Sequence, residues 1–123
     1  MKHKIVHRDF KLPNILKHNG IIKIADFGFS KILGEDAFTT TMLGSPLNMA
    51  PEILAGNDYN NKVDIWSIGT CFYEMLFGKP PYSASNIVDL LKNIQKNKFK
   101  IPSHYSVKPE VEDVLKKMLV YNP

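Results

Sequence analysis

The chain has 123 residues, enough for one modest domain and too few for two. It is 44% hydrophobic and 23% charged, ordinary for a globular protein, and no apolar run is long enough to cross a bilayer. The formal net charge of +4 comes from scattered lysines, with only a mild cluster at Lys92, Lys96, Lys98 and Lys100; this reads as a solvated face and not as a nucleic-acid surface.

The stretch from Met1 to Asp9 has no long apolar segment and no small-residue cleavage site, so a secretory signal is not expected there. Ile5-Val6 is a short apolar run that leads into a polar loop, His7 to Asn14. Two β-prone runs follow, Ile15 to His18 and Ile21 to Ala25, separated by Asn19-Gly20. Asn-Gly is the strongest short-range hairpin signal, because both turn residues must take positive φ. A two-residue turn pairs His18 with Ile21 and, outward along the pleat, Asn14 with Ala25. The oxygen-bearing side chains of Asn14 and Asp26 then meet at the open end of one hairpin.

Residues 26 to 52 show no sustained periodicity and contain three consecutive threonines, several glycines and two prolines. A loop this long is functional or disordered. From Asn61 to Phe77 apolar residues cover nearly the whole circumference of a helix, the pattern of a buried one. Asn60 or Asn61 caps its start, and Gly78 with Pro80-Pro81 ends it. Cys71, the single cysteine, lies in this apolar stretch and reads as a buried small side chain, which points to a reducing, cytoplasmic setting. A second helix is predicted from about Ser85 to Lys96, with Ile87, Leu90, Leu91 and Ile94 on one face. A third is predicted from about Pro109 to Val120, with Val111, Val114, Leu115, Met118 and Leu119 on one stripe. One hairpin followed by helices is an α+β arrangement, mainly α-helical.

The segment His7-Arg8-Asp9-Phe10-Lys11-Leu12-Pro13-Asn14 resembles the catalytic loop of eukaryotic serine/threonine protein kinases. Asp26-Phe27-Gly28, Ala50-Pro51-Glu52 and Asp64-Ile65-Trp66-Ser67-Ile68-Gly69 follow in the order of that family's signature set. Any one tripeptide is a weak signal; the four segments in order, with a hairpin between the first two, are specific. The resemblance covers the whole chain. It implies a kinase-like C-terminal lobe with one β-hairpin and no N-terminal lobe, so residues 1–123 are expected to form a partial kinase domain. Gly-Ser-Pro-Leu-Asn-Met-Ala-Pro-Glu is most similar to the autophagy-initiating kinase group.

The resemblance also implies roles. Phosphoryl transfer asks a protein mainly for positioning and charge neutralisation. Asp9 matches the carboxylate that orients the substrate hydroxyl and accepts its proton. Lys11, typical of serine/threonine kinases at this place, would stabilise charge on the transferring phosphoryl group and bind ATP. Asn14 and Asp26 would hold Mg2+ with hard oxygen ligands, and through it the nucleotide. His7, Gly28, Glu52 and Asp64 match supporting residues. In that family the histidine packs near the phenylalanine of Asp-Phe-Gly and Asp64 accepts backbone N–H bonds from the catalytic loop, while Gly28 would let the next segment turn sharply. Thr41 matches an activating phosphorylation site, whose phosphate would pair with Arg8; an upstream kinase or a second copy of the kinase would supply it. Ser45 matches a hydroxyl that bridges toward Asp9 and Lys11. The expected partner is a protein substrate presenting serine or threonine, with no nucleic acid and no membrane span.

Departures from the family pattern carry expectations too. Leu12-Pro13 shifts the usual loop proline by one residue while the count from Asp9 to Asn14 is kept. Asn48 stands where the family usually has an aromatic residue, so packing there is expected to be looser. No glycine-rich phosphate loop, strand lysine or adenine hinge precedes the catalytic loop, and the arginine that normally pairs with Glu52 would fall just past Pro123. Hence the 123-residue chain is expected to be inactive alone, and a non-catalytic kinase-lobe interaction module is the alternative. Other motifs fail: there is no Walker-type loop, Asp58-Tyr59-Asn60 lacks the rest of a calcium loop, and no Cys/His cluster suggests zinc.

Overall fold

A computed structural model describes residues 5–28, 31–32 and 46–121. Two small antiparallel sheets lie at the start. In the first, β1 (Ile5–Val6) pairs with β4 (Lys31–Ile32), Ile5 opposite Ile32. In the second, β2 (Ile15–His18) pairs with β3 (Ile21–Ile24) in the register that the turn requires, from His18 opposite Ile21 to Ile15 opposite Ile24. Asn19 and Gly20 have φ of 48° and 77°, the double left-handed geometry of a type I′ turn.

The pairing of β1 with β4 joins segments that periodicity does not link, because two-residue strands carry no readable alternation. A single 3-10 turn, Leu12–Asn14, connects the polar loop to the hairpin. Pro13 sits inside its first turn, where its missing N–H has no intrahelical partner to lose. The displaced proline is therefore accommodated by this turn, closed by Asn14 N donating to Lys11 O at 2.9 Å.

The stretch expected to lack regular structure contains a second 3-10 turn, Pro46–Asn48, and a one-turn helix α1 (Pro51–Leu54). Three longer helices follow: α2 (Lys62–Phe77), α3 (Ile87–Lys96) and α4 (Pro109–Met118). Their caps explain their bounds. Asn60, not Asn61, satisfies the start of α2, its Oδ1 accepting from Lys62 N at 2.8 Å. Gly78 ends that helix at φ 75°, a left-handed cap that glycine adopts without strain. Asn86 starts α3, its side chain accepting from Asp89 N at 2.9 Å, so the helix begins at Ile87, with its first apolar residue, and not at Ser85. Helix α4 stops at Met118, while the apolar stripe runs on through Leu119.

The core gathers around α2. Val63, Trp66, Tyr73 and Phe77 from α2 pack with Val6, Met49, Ala50, Leu54, Leu90, Ile94, Leu115 and Leu119. Helices α2 and α4 approach closely at Gly69: a Cβ there would lie 2.9 Å from Met118 Cβ and 3.0 Å from Leu119 Cδ2. One expectation is corrected. Helix α2 is not buried all round, because Ile65 and Met75 are 45% and 61% exposed. Both faces of the hairpin are also open, with Leu16 and Ile21 exposed on one and Ile22 and Ile24 on the other. No helix among the described residues is long and apolar enough to cross a membrane.

Candidate active site

The loop His7 to Asn14 is held from below by α2. Asp64, in the first turn of α2, accepts the backbone N–H of His7 on one carboxylate oxygen at 2.8 Å and that of Arg8 on the other at 2.9 Å. Bonds of this kind to an ionised acceptor are each worth about 1.5–3 kcal/mol. They clamp a strained backbone: Arg8 has φ 65°, in the left-handed region that costs a side-chain-bearing residue about 1–2 kcal/mol. The Arg8 side chain is steered by Tyr59, whose hydroxyl accepts from Nη1 at 3.0 Å.

His7 is buried and fully engaged. Asp9 N donates to its Nδ1 at 3.2 Å, so the ring proton belongs on Nε2, which donates to Ala25 O at 3.1 Å. Its ring meets Phe10 and Phe27, each with a centroid separation of 4.7 Å. With both nitrogens committed, His7 ties the loop to the hairpin end and has no lone pair left for proton abstraction.

Asp9 is the central carboxylate, 3% exposed. Its Oδ2 accepts from Asn14 Nδ2 at 3.0 Å, and the same amide nitrogen also donates to Asp9 O at 3.0 Å. Its Oδ1 has no hydrogen-bond partner among the described residues, while Lys11 Nζ stands 3.9 Å away. The carboxylate is thus fixed by one oxygen and left with a free acceptor at the other, beside a cation. The Asn14 amide, having spent its N–H bonds on Asp9, presents its own carbonyl oxygen unspent.

Asp26 follows directly from the hairpin. Ala25 N donates to Asn14 O at 2.8 Å, which extends the ladder one step and brings Asp26 beside Asn14. Asp26 is exposed, has φ 60°, and accepts from Gly28 N at 3.3 Å. Gly28 does not have positive φ; a Cβ on it would sit 3.1 Å from Asp26 Oδ1. Among the described residues no three His, Cys, Asp or Glu side chains cluster as metal ligands, and the oxygen donors that could hold a cation here are those of Asn14 and Asp26. A hard, oxygen-only donor set of this kind suits magnesium, which keeps several waters.

The structure brings His7, Arg8, Asp9, Lys11, Asn14, Asp64 and the end of the hairpin together. The family model of the protein kinase domain matches residues 1–123. The chain belongs to the protein kinase domain family. Among curated proteins it is similar to the serine/threonine-protein kinase ATG1 of Debaryomyces hansenii, 42% identical over 140 residues that cover 97% of this chain and 16% of that one. It is also similar to serine/threonine-protein kinase atg1 of Dictyostelium discoideum, 47% identical over 107 residues (84% of this chain, 16% of that one), and to ATG1 of Pichia angusta, 42% identical over 134 residues (94% and 16%). The chain spans about a sixth of the length of these curated relatives. By family this is therefore an enzyme's domain, of the serine/threonine kinase kind.

Other predicted residues lie elsewhere. Thr41 and Ser45 fall outside the described residues. Glu52, in α1, lines a separate cavity of about 320 Å3 with Lys62, Trp66 and Lys117. Its Oε2 and Trp66 Nε1 are both buried without a hydrogen-bond partner among the described residues, and burial pushes the Glu52 carboxyl up from its ordinary value. Asn48 does not leave a loose joint. Its Nδ2 donates to Thr70 Oγ1 at 2.9 Å and its carbonyl accepts from Ser67 Oγ at 2.6 Å, so polar links to α2 hold the segment. Tyr59, Ser67 and Thr70 were not legible as site-supporting residues, since each meets its partner only across the folded chain.

Proposed function

We propose that this kinase domain transfers the γ-phosphoryl group of ATP to serine or threonine hydroxyls of a protein substrate. The observation that carries the reading is Asp9: a nearly closed-off carboxylate with one oxygen held by Asn14, the other without a hydrogen-bond partner among the described residues, and Lys11 beside it. Asp9 Oδ1 orients the substrate hydroxyl and takes its proton as the oxygen attacks. Lys11 offsets the negative charge that accumulates during transfer. The Asn14 carbonyl oxygen and Asp26 carboxylate hold magnesium, which when bound neutralises the phosphates of the nucleotide. Asp64 and His7 keep the loop in its strained shape. Arg8 receives a phosphate on Thr41, placed by an upstream kinase or a second copy of the kinase, in a cytoplasmic setting.

Residues 1–123 correspond on this reading to the C-terminal lobe of the domain. The chain contributes the catalytic loop and metal-holding hairpin but no glycine-rich loop to cover the phosphates, so we expect it to turn over substrate poorly by itself. The test is magnesium-dependent nucleotide binding by the protein that carries this sequence. Asp26→Asn should weaken magnesium-ATP binding at least tenfold and leave magnesium-free binding within twofold; equal binding by both proteins with magnesium would sink the assignment of Asp26.

A second reading, a non-catalytic lobe that engages other proteins, is favoured by the exposed apolar side chains of the hairpin, Leu16 and Ile21 on one face and Ile22 and Ile24 on the other. Thermal unfolding of the 123-residue chain with and without magnesium-ATP separates the two. Stabilisation by nucleotide speaks against the non-catalytic reading, and no shift leaves this chain as a lobe without nucleotide.

A further inference from the structure

A cavity of about 380 Å3 lies between the end of α2, helix α3 and the segment that follows α3, and none of the roles above uses it. Three lysines line it: Lys79, just past the Gly78 cap of α2, and Lys98 and Lys100, just past α3. No aspartate or glutamate stands among its lining residues, and the three ammonium groups make no ion pair or hydrogen bond among the described residues. Three cations around one concavity leave a positive field inside it. Neutral donors stand there too: the Ser83 hydroxyl and the Asn97 side-chain amide, neither with a hydrogen-bond partner among the described residues. The backbone that carries these groups is pinned. Tyr73, 3% exposed, donates its hydroxyl to Lys100 O at 2.6 Å, and Asn93 Nδ2 donates to Ser83 O at 3.0 Å. Lys92 and Lys96, on α3, do not line the cavity, so the lysine-rich run divides into a solvated pair and a cavity-lining pair.

We propose that this cavity is a docking site for a phosphorylated serine or threonine side chain of a protein partner, held by Lys79, Lys98 and Lys100. The inference goes beyond the proposed reaction and uses none of Asp9, Lys11, Asn14 or Asp26. A phosphorylated side chain carries a charge of about −1.5 to −2 and three acceptor oxygens. A carboxylate brings less charge and fewer acceptors, and so leaves more of the three lysines unneutralised. Lysine meets phosphate as a point charge, while the Ser83 hydroxyl and the Asn97 amide supply directed hydrogen bonds. The concave form suits a group that projects from a polypeptide, whereas a flat membrane suits a planar basic face. Pro80, Pro81 and Pro102, which also line the cavity, offer apolar surface to the residues that flank the phosphorylated one.

The test is a titration of the isotopically labelled 123-residue chain with a short alanine–glycine peptide carrying a central phosphoserine, against the same peptide with serine or glutamate in its place. The phosphoserine peptide should bind at least tenfold more tightly than the serine peptide and at least threefold more tightly than the glutamate peptide. Amide shifts should centre on Ser83, Asn97, Lys98 and Lys100, and added salt should weaken binding. Lys98→Gln combined with Lys100→Gln should lower the affinity at least fivefold. Lys92→Gln combined with Lys96→Gln removes the same charge outside the cavity and should leave it within twofold. All four side chains are exposed, so both double variants are expected to fold. A phosphoserine peptide that binds no better than its serine or glutamate counterpart overturns the site, as does an equal loss in the two double variants. Binding to phosphatidylserine vesicles that the phosphoserine peptide does not displace would assign the lysines to a membrane surface and overturn it too. The readout is binding, so the result stands apart from any failure of Asp9 as the catalytic carboxylate.

Discussion

Replacing Asp64 by asparagine should unhinge the catalytic loop, and the structure sets the size of the effect. The two carboxylate oxygens accept from His7 N at 2.8 Å and Arg8 N at 2.9 Å. Asparagine keeps one acceptor, without charge assistance, and turns the other into a donor that faces an N–H. One bond of about 1.5–3 kcal/mol is then lost and the other falls to about 1 kcal/mol. The expected destabilisation is about 3 kcal/mol, enough to lower Tm by about 10 °C in a domain of this size. Urea unfolding followed by near-ultraviolet circular dichroism measures it, and the amide resonances of His7 and Arg8 should move upfield as their bonds weaken. A loss below about 0.5 kcal/mol, the range of ordinary surface substitutions, would refute the clamp.

Other outcomes follow from packing and burial. Gly69→Ala places a methyl group 2.9 Å from Met118 Cβ, so α2 and α4 must separate; a loss of about 1–3 kcal/mol is expected in the same unfolding assay. Glu52 has a folded-state carboxyl raised by desolvation, so the folded state holds its proton to higher pH than the unfolded chain does. Its contribution is therefore present at acid pH and is lost as pH rises through the raised value. Glu52→Gln should raise Tm at neutral pH, change it little at pH below the ordinary glutamate value, and flatten the slope between; an unchanged slope contradicts the uncompensated carboxylate. Burial, then the nearby Glu74 charge, pushes the Cys71 thiol up to about 11. Alkylation of the native chain at pH 8 should thus be at least tenfold slower than in urea, and equal rates would contradict a buried thiol.

The hairpin was legible because its information is local. Asn19-Gly20 demands two positive φ values, and that turn alone settles which residue faces which, down to Ala25 beside Asn14. The helices were legible from their apolar spacing, although their ends were settled by capping side chains, Asn60 and Asn86, that the spacing does not weigh. What escaped lies in contacts between distant segments. The Arg8–Tyr59 bond spans 51 positions, and no local pattern marks a tyrosine as its acceptor. Asn48 shows the same limit from the other side. Read alone it implies a loosened joint, yet Ser67 and Thr70, one helix away, turn it into an anchor. The exposure of Ile65 and Met75 was hidden too, because an all-round apolar helix looks the same in sequence whether its last face is covered or open.

The central claim is that Asp9 Oδ1, without a hydrogen-bond partner among the described residues and flanked by Lys11, takes the proton of the substrate hydroxyl. The direct measurement is phosphate incorporation into a serine-containing protein by the protein that carries this sequence, compared with its Asp9→Asn variant at equal magnesium-ATP occupancy. Positioned proton transfer contributes about 10²–10⁴-fold, so the variant should retain no more than about one hundredth of the wild-type turnover. Turnover within fivefold of wild type, with nucleotide still bound, would contradict the assignment.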